Sequence, residues 1–314
     1  MKLNPFLTAI LVSLSILSAC NTDPNKGNAP SKIESAFTKV DGVRFFEVKR
    51  RYRNGLSFNK DGFMHQPTWV LEFKAPDTML AYSPEKKGME AFYLQFDHGK
   101  VYNFAREFFR AIYIGKDSLI LQRLQVDGKV IAGDDDVRSD VYCTFYTKDY
   151  IENKLKTTVG ELQKPTKADT AYIQKLSDQT HRDPSNPKIA FAATSPVIFA
   201  PKSKYVTVEK LVTIDETNHR SASYDYMYPQ YKIEILRSYK QFSYSFSLIV
   251  DALGNLYVNR VDGVMPEDVP PRKRLLQGIA NVYLKNLFAI TPGKTLGIPH
   301  SSEVTVYLKG KLGQ

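Results

Sequence analysis

The chain has 314 residues, with 43 Lys and Arg against 33 Asp and Glu for a net charge of +10, and only two Cys. That length is generous for one hydrophobic core, so two domains are expected. The basic residues are scattered along the chain, which argues against nucleic acid as a partner.

The chain opens on Lys2 and an apolar run from Phe6 to Leu17, then the small residues Ser18 and Ala19, then Cys20 and the polar Asn21-Thr22-Asp23-Pro24. A membrane-spanning helix needs roughly 20 apolar residues, so this run is short for one and has the grammar of a signal peptide. Leu17-Ser18-Ala19-Cys20 resembles the lipobox of bacterial lipoproteins, in which the Cys thiol is acylated before cleavage. The resemblance implies that residues 1–19 are a removed signal peptide, that Cys20 is the lipidation site, and that the membrane is a partner through this anchor. Acyl chains contribute about 0.8 kcal/mol per buried methylene, enough for a lasting hold when several are attached. The implied address is the bacterial cell envelope, at the outer membrane. Residues 20–35, rich in Asn, Pro, Gly, Ser and Lys, read as a flexible tether. With Cys20 acylated, Cys143 is the one remaining thiol and has no intramolecular disulfide partner.

Residues 36–153 read as a β-rich domain. Phe46-Val48 with Tyr52, Trp69-Leu71-Phe73, Phe92-Leu94-Phe96, Ile120 with Leu124 and Val126, and Val141-Cys143-Phe145 each place apolar side chains on one strand face. Asn54-Gly55, Asp61-Gly62, His98-Gly99 and Asp127-Gly128 supply turns, the last with the positive φ preference of a type I′ hairpin. Many short strands in series predict a barrel or a curved meander, with a rhythm that resembles small lipocalin-type barrels. Phe104 to Ala111 fits either a strand or a helical turn. The basic cluster Lys49-Arg50-Arg51 with Arg53 reads as a solvated face.

Residues 154–204 are broken by Pro165, Pro184, Pro187, Pro196 and Pro201, and read as a connector with one helix capped by Thr166 and running to about Thr180. Residues 205–314 read as a small α+β domain. Its strands are Tyr205 to Ile214, Tyr231 to Leu236, Phe242 to Leu248 with Ser on the solvent face, and Leu256 to Val261. Pro270-Pro271 then open a helix through Leu276, Ile279 and Leu284, with Arg272-Lys273-Arg274 in its first turns, and a strand from Glu303 to Leu308 ends the fold. The overall expectation is α+β, mostly antiparallel.

Two segments of this last region carry a second likeness. Leu248-Ile249-Val250-Asp251-Ala252-Leu253-Gly254-Asn255-Leu256 resembles the hairpin of the TonB C-terminal domain family, and Pro292-Gly293-Lys294-Thr295-Leu296-Gly297-Ile298-Pro299 is similar to that family's lead into its last strand. The likeness implies a strand-strand-helix-strand module used for contacts with envelope proteins or peptidoglycan, where an exposed strand pairs with a partner strand. It does not imply energy transduction, because a lipidated leader stands where a transducer has a membrane helix.

Candidate chemistry is sparse. His65, His98, His181, His219 and His300 have no ligand-like spacing, so they read as surface or turn residues with no metal site. Gly133-Asp134-Asp135-Asp136 lacks the alternation of a calcium loop and reads as an acidic turn. Cys143, in Val141-Tyr142-Cys143-Thr144-Phe145, alternates with polar or aromatic residues and reads as a small apolar side chain on the inner face of a strand. His181-Arg182-Asp183 stands without the glycine loop of a kinase, and no nucleophile elbow occurs. The sequence therefore predicts a non-enzymatic, lipid-anchored interaction protein with no cofactor. The alternatives are a lipocalin-like carrier of an apolar ligand in the barrel and a hydrolase with an unrecognised site.

Overall fold

A computed structural model describes residues 36–128, 130–131, 138–212, 214 and 221–313. The signal segment, the tether with Cys20, the Gly133 to Asp136 turn and His219 lie outside the described residues.

The first strands are β1 (Arg44–Tyr52), β2 (Val70–Lys74), β3 (Thr78–Ser83), β4 (Gly88–Tyr93), β5 (Gln95–His98), β6 (Val101–Phe104), β7 (Glu107–Ile114) and β8 (Ser118–Leu124). A small ribbon, β9 (Val126–Asp127) and β10 (Val130–Ile131), leads to β11 (Val141–Thr147). Nine of these strands form one antiparallel sheet, in the order β4-β3-β2-β1-β11-β8-β7-β6-β5. Its edge strands β4 and β5 are joined by Leu94 alone, so the sheet curls until its edges meet in a nearly closed barrel. Leu94 is buried in the barrel core, and its N–H donates to the Asp77 carbonyl at 2.7 Å. The ambiguous Phe104 to Ala111 run is a tight β6–β7 hairpin, with Ala105 and Arg106 both at positive φ.

Aromatic side chains fill the barrel. Phe45, Phe73, Phe104, Phe109 and Phe145 are fully buried, and Phe104 stacks on Phe109 with ring centroids 4.5 Å apart. A 3₁₀ turn, Ala36–Val40, adds Phe37, which stacks on Phe73 at 4.1 Å and meets Tyr102 edge-on at 4.9 Å. Each such ring contributes roughly 1.5–3 kcal/mol through the apolar surface it removes from water.

The strand faces match the alternation where no residue is inserted. Val141, Cys143 and Phe145 are buried together as expected, whereas on β8 the core residues are Leu119 and Leu121 in place of Ile120. β1 differs more, because a β-bulge shifts its register between Glu47 and Lys49. Glu47 then lies opposite Phe145 and Arg50 opposite Cys143, which turns a carboxylate and a guanidinium toward the interior.

After a π turn, Tyr150–Lys154, come α1 (Val159–Gln163), α2 (Lys167–Arg182) and β12 (Ile198–Pro201). Thr166 caps α2 as predicted, in a capping box with Asp169. Residues 154–204 thus hold, besides the expected helix, the short α1 packed on β1 and a strand that joins the next unit.

That unit comprises β13 (Val206–Leu211), α3 (Tyr224–Met227), β14 (Gln230–Ser238), β15 (Phe242–Val250), β16 (Leu256–Val261), α4 (Val269–Ile279), a π turn Ala280–Leu284 and α5 (Lys285–Leu287). It ends with β17 (Phe288–Thr291), β18 (Lys294–Thr295), β19 (Ile298–Pro299) and β20 (Ser302–Leu312). The sheet order is β13-β14-β20-β15-β16, antiparallel except for the parallel β14–β20 pair. Leu276, Ile279 and Leu284 of the helical stretch pack on Ile233, Phe246 and Val306, while the β12–β17 ribbon adds Phe199 and Phe288 to the same core. The expected solvent-facing Ser row on β15 ends at Ser245, because Ser247 and Ile249 are fully buried. Ser247 Oγ there accepts from the Arg260 N–H at 3.1 Å.

The first likeness segment has a clear local job. Asp251 closes the β15–β16 hairpin: its carboxylate accepts from the N–H groups of Leu253 (2.9 Å) and Asn255 (2.8 Å), from the Asn255 amide (2.8 Å) and from Tyr257 Oη (3.2 Å). Gly254 completes the turn at φ +79°, where a side chain is strained.

Candidate functional site

Three places in the molecule gather polar or unpaired groups: the polar interior of the barrel, the cleft between barrel and C-terminal unit, and the edges of the C-terminal sheet.

Inside the barrel, Arg50 grips Glu47 with two hydrogen bonds, Nε to Oε1 at 2.7 Å and Nη2 to Oε2 at 2.8 Å, and lies over the Trp69 ring at 5.1 Å. The N–H groups of Thr68 (2.9 Å) and Trp69 (3.0 Å) also donate to Glu47. This carboxylate is wholly buried among structural neighbours, so no substrate reaches it. The expectation of a solvated basic face is thereby corrected for two of its members: Arg50 is turned inward by the bulge, and Arg51 reaches Asp169 at 3.0 Å. Cys143 is excluded from solvent, and burial together with Glu47 pushes its thiol up, away from the thiolate that nucleophilic chemistry needs.

The His expectation also needs correction, since His65 and His300 are buried. Burial, with Arg50 and Arg123 adding to it, lowers His65 to about 4. Burial likewise lowers His300 to about 4. His300 Nε2 and Thr295 Oγ1 form a hydroxyl–imidazole pair at 3.0 Å, yet both residues are wholly excluded from solvent, so no substrate reaches them. His98 and Asp97 pair on the surface, and His181 sits in the last turn of α2. Among the described residues no group of His, Cys, Asp and Glu could hold a metal ion, and no helix is long and apolar enough to cross a membrane.

The cleft between the two units has a volume of about 480 Å³ and is bordered by Asp61, Phe191, Tyr228, Gln230, Arg260 and Glu303. Two of its charged groups are engaged, Arg260 with Asp262 at 2.8 Å and Glu303 with the Asn259 amide at 2.9 Å, while Asp61 is exposed at its edge. No Ser, Cys or His lines it among the described residues.

The sheet edges differ from one another. At β16 two of the outward backbone groups are taken by one side chain: Gln277 of α4 accepts from the Val258 N–H and donates to the Leu256 carbonyl, both at 2.8 Å. A glutamine amide here stands in for a neighbouring strand. At β13 no strand covers the edge among the described residues. The Leu236 N–H bonds the Tyr205 carbonyl at 2.8 Å, so by antiparallel alternation Thr207, Glu209 and Leu211 face β14, while the backbone groups of Val208 and Lys210 point outward. Beside them runs an apolar groove of about 380 Å³, formed by Pro196, Val197, Ile198, Phe199, Val208 and Tyr231. Ile198 is 57% exposed on its rim. The Tyr231 hydroxyl donates to the Val197 carbonyl and fixes the floor, and burial raises Tyr231 to about 12, so it stays protonated.

Sequence reasoning placed β13 and Tyr231 on strands but missed the contrast between the edges. Gln277 falls in the helical periodicity as an ordinary polar position, and its reach to β16 is visible only in three dimensions.

No protein-family model matches the chain, no characterised protein matches its sequence, and no solved structure matches it.

Proposed function

We propose that this chain is a non-enzymatic bacterial envelope lipoprotein, held at the outer membrane by an acylated Cys20, whose C-terminal module binds an envelope protein by adding that partner's strand to β13. The observation that carries the reading is the asymmetry of the sheet: Gln277 seals the β16 edge, whereas the β13 edge presents its backbone groups beside an apolar groove. An extended partner segment supplies what both features lack, main-chain partners for the edge and alternate apolar side chains for the groove. The likeness to the TonB C-terminal domain family belongs to the same proposal. Its support is the succession of the Asp251 hairpin, the α4 helix, the Gly293 loop and β20. The carrier alternative loses weight because aromatic rings occupy the barrel interior, and the hydrolase alternative because no Ser hydroxyl or Cys thiol is hydrogen-bonded to a His among the described residues.

Crosslinking and pull-down from the native envelope tests the proposal. Val208→Pro removes one outward N–H and leaves the β14 ladder intact, so a partner recovered with the unaltered chain is expected to disappear. Equal recovery by the variant sinks the edge as the contact. In the same cells Cys20→Ala is expected to abolish incorporation of labelled fatty acid, and unchanged labelling refutes the anchor.

A further inference from the structure

Charge is unevenly shared along the chain: residues 154–314 hold 22 Lys and Arg against 14 Asp and Glu, whereas residues 36–153 hold 18 against 17. Some cations are tied to carboxylates, as in Arg44–Glu72, Arg123–Glu107, Lys210–Asp225, Arg260–Asp262 and Lys311–Glu234. One end of the C-terminal sheet instead gathers several cations together without such pairing.

The strand registers bring the β14–β15 loop, the start of β13, the end of β20 and the β16–α4 loop to one end of the C-terminal sheet. This end is opposite the one that meets the barrel, where Gln230 and Glu303 border the cleft. It carries Lys204, Arg237, Lys240, Arg272, Lys273 and Arg274, and among the described residues no carboxylate lies within ion-pair distance of any of the six. The acids nearby in sequence are Asp262, which Arg260 and the Ser245 hydroxyl hold, and Glu267 and Asp268, which precede α4; the cations outnumber them. Several of the cations lie over rings instead: Arg237 over Tyr205 at 4.1 Å, Arg272 over Tyr244 at 5.0 Å and Lys240 over Tyr239 at 5.5 Å. Large apolar tips protrude between them, with Tyr239 66% and Met265 62% exposed on the two loops and Leu275 41% exposed on α4.

We infer that this end of the C-terminal module docks on an anionic lipid bilayer, with Tyr239, Met265 and Leu275 entering the interface and the six cations meeting lipid phosphates. A bilayer fits better than a soluble anionic polymer for two reasons. The cations surround protruding apolar side chains, which a polymer chain leaves exposed to water, and the hollow between β15, the β16–α4 loop and α4 measures only about 120 Å³, too small to seat a sugar or nucleotide chain. Tyr rings favour the headgroup region, where an apolar body and a polar tip are both accommodated. The contact is separate from the acyl anchor proposed for Cys20, and it would fix which side of the tethered module faces away from the membrane.

The test is co-sedimentation of the full chain carrying Cys20→Ser, so that no acyl group contributes, with phosphatidylcholine vesicles with and without phosphatidylglycerol. The N-terminal apolar run is common to all variants, so the readout is the difference between them. Anionic vesicles are expected to pull down more of the chain, with the excess removed by salt. Arg272→Ala, Lys273→Ala and Arg274→Ala together are expected to weaken that excess by about fivefold per cation removed, roughly a hundredfold in all. Tyr239→Ser with Met265→Ser is expected to weaken it with the charges intact. All five positions are at least half exposed or on the helix surface, and circular dichroism of each variant checks that the fold is retained. Equal binding to both vesicle types, or an unchanged excess in the charge variant, overturns the inference. So does equally tight, competing binding of soluble dextran sulfate, which would make the surface a polyanion site.

Discussion

His300 stacks on Phe191 with ring centroids 3.6 Å apart, and its two ring nitrogens lie 3.0 Å from Thr295 Oγ1 and 3.2 Å from the Ser301 carbonyl. His65 is packed between Tyr52 and Phe63 with its Nε2 buried and unbonded. Both imidazoles stay neutral in the folded protein down to pH values of about 4. In the unfolded chain each takes a proton near pH 6.5. Between these values the unfolded state holds protons that the folded state does not, so stability falls as pH falls through that window, by up to roughly 3 kcal/mol per His. Asp169 acts in the same direction only at lower pH. Burial opposes its charge, yet the N–H of Ser57, the N–H and hydroxyl of Thr166 and Arg51 hold its carboxyl below the ordinary value. Urea unfolding across pH 7 to pH 4 is therefore expected to show a steep loss of midpoint. His65→Phe, which removes an orphaned nitrogen from a ring-lined site, is expected to reduce that slope by about half. An identical slope in the variant would show that His65 does not titrate on unfolding.

At the scale of elements, Gln277 does for β16 what another strand would do. Gln277→Ala leaves the Val258 N–H and the Leu256 carbonyl without partners, at a cost of roughly 1–3 kcal/mol. It also gives the sheet a second open edge, so concentration-dependent self-association is expected to rise. Sedimentation velocity over a concentration series reads this directly: a variant as monodisperse as the unaltered chain would show that the glutamine does not guard the edge. The strands themselves were largely legible in the sequence. Val141-Cys143-Phe145 and Val304-Val306-Leu308 alternate because one face of each is buried, and Thr166 announced the start of α2. What the alternation could not reveal was the bulge at β1, since a single inserted residue brings Glu47 and Arg50, three positions apart, to the same inner face and leaves no local mark. The edge contrast was hidden for a related reason: it depends on a side chain reaching from β16's covering helix, a relation between residues about twenty positions apart.

At the scale of the whole molecule, the barrel core and the C-terminal core share no residue. They are coupled through a third cluster, in which Phe58 of a barrel loop meets Ile173 of α2, Phe191, and Leu296 and Ile298 of the loop before β20. Asp169 fastens the same junction, because its carboxylate accepts from the Ser57 N–H at 2.7 Å and from Arg51 at 3.0 Å while it also caps α2 through Thr166. Gly62 lets the chains approach there: it sits at φ +85°, and a Cβ on it would overlap the Ala192 backbone, whose N–H bonds the Asp61 carbonyl at 2.9 Å. Two cores joined this way unfold together only while the junction costs more to open than either core gains by unfolding alone. The unaltered chain is thus expected to give one calorimetric transition. Asp169→Ala strips Arg51 of its carboxylate and leaves the Ser57 N–H unbonded, a loss of about 3–5 kcal/mol confined to the junction. Neither core loses a contact in that variant, so it is expected to unfold in two resolved transitions, the barrel and the C-terminal unit each near its own midpoint. A single transition displaced to lower temperature would instead mean that the two cores are coupled by contacts other than this carboxylate.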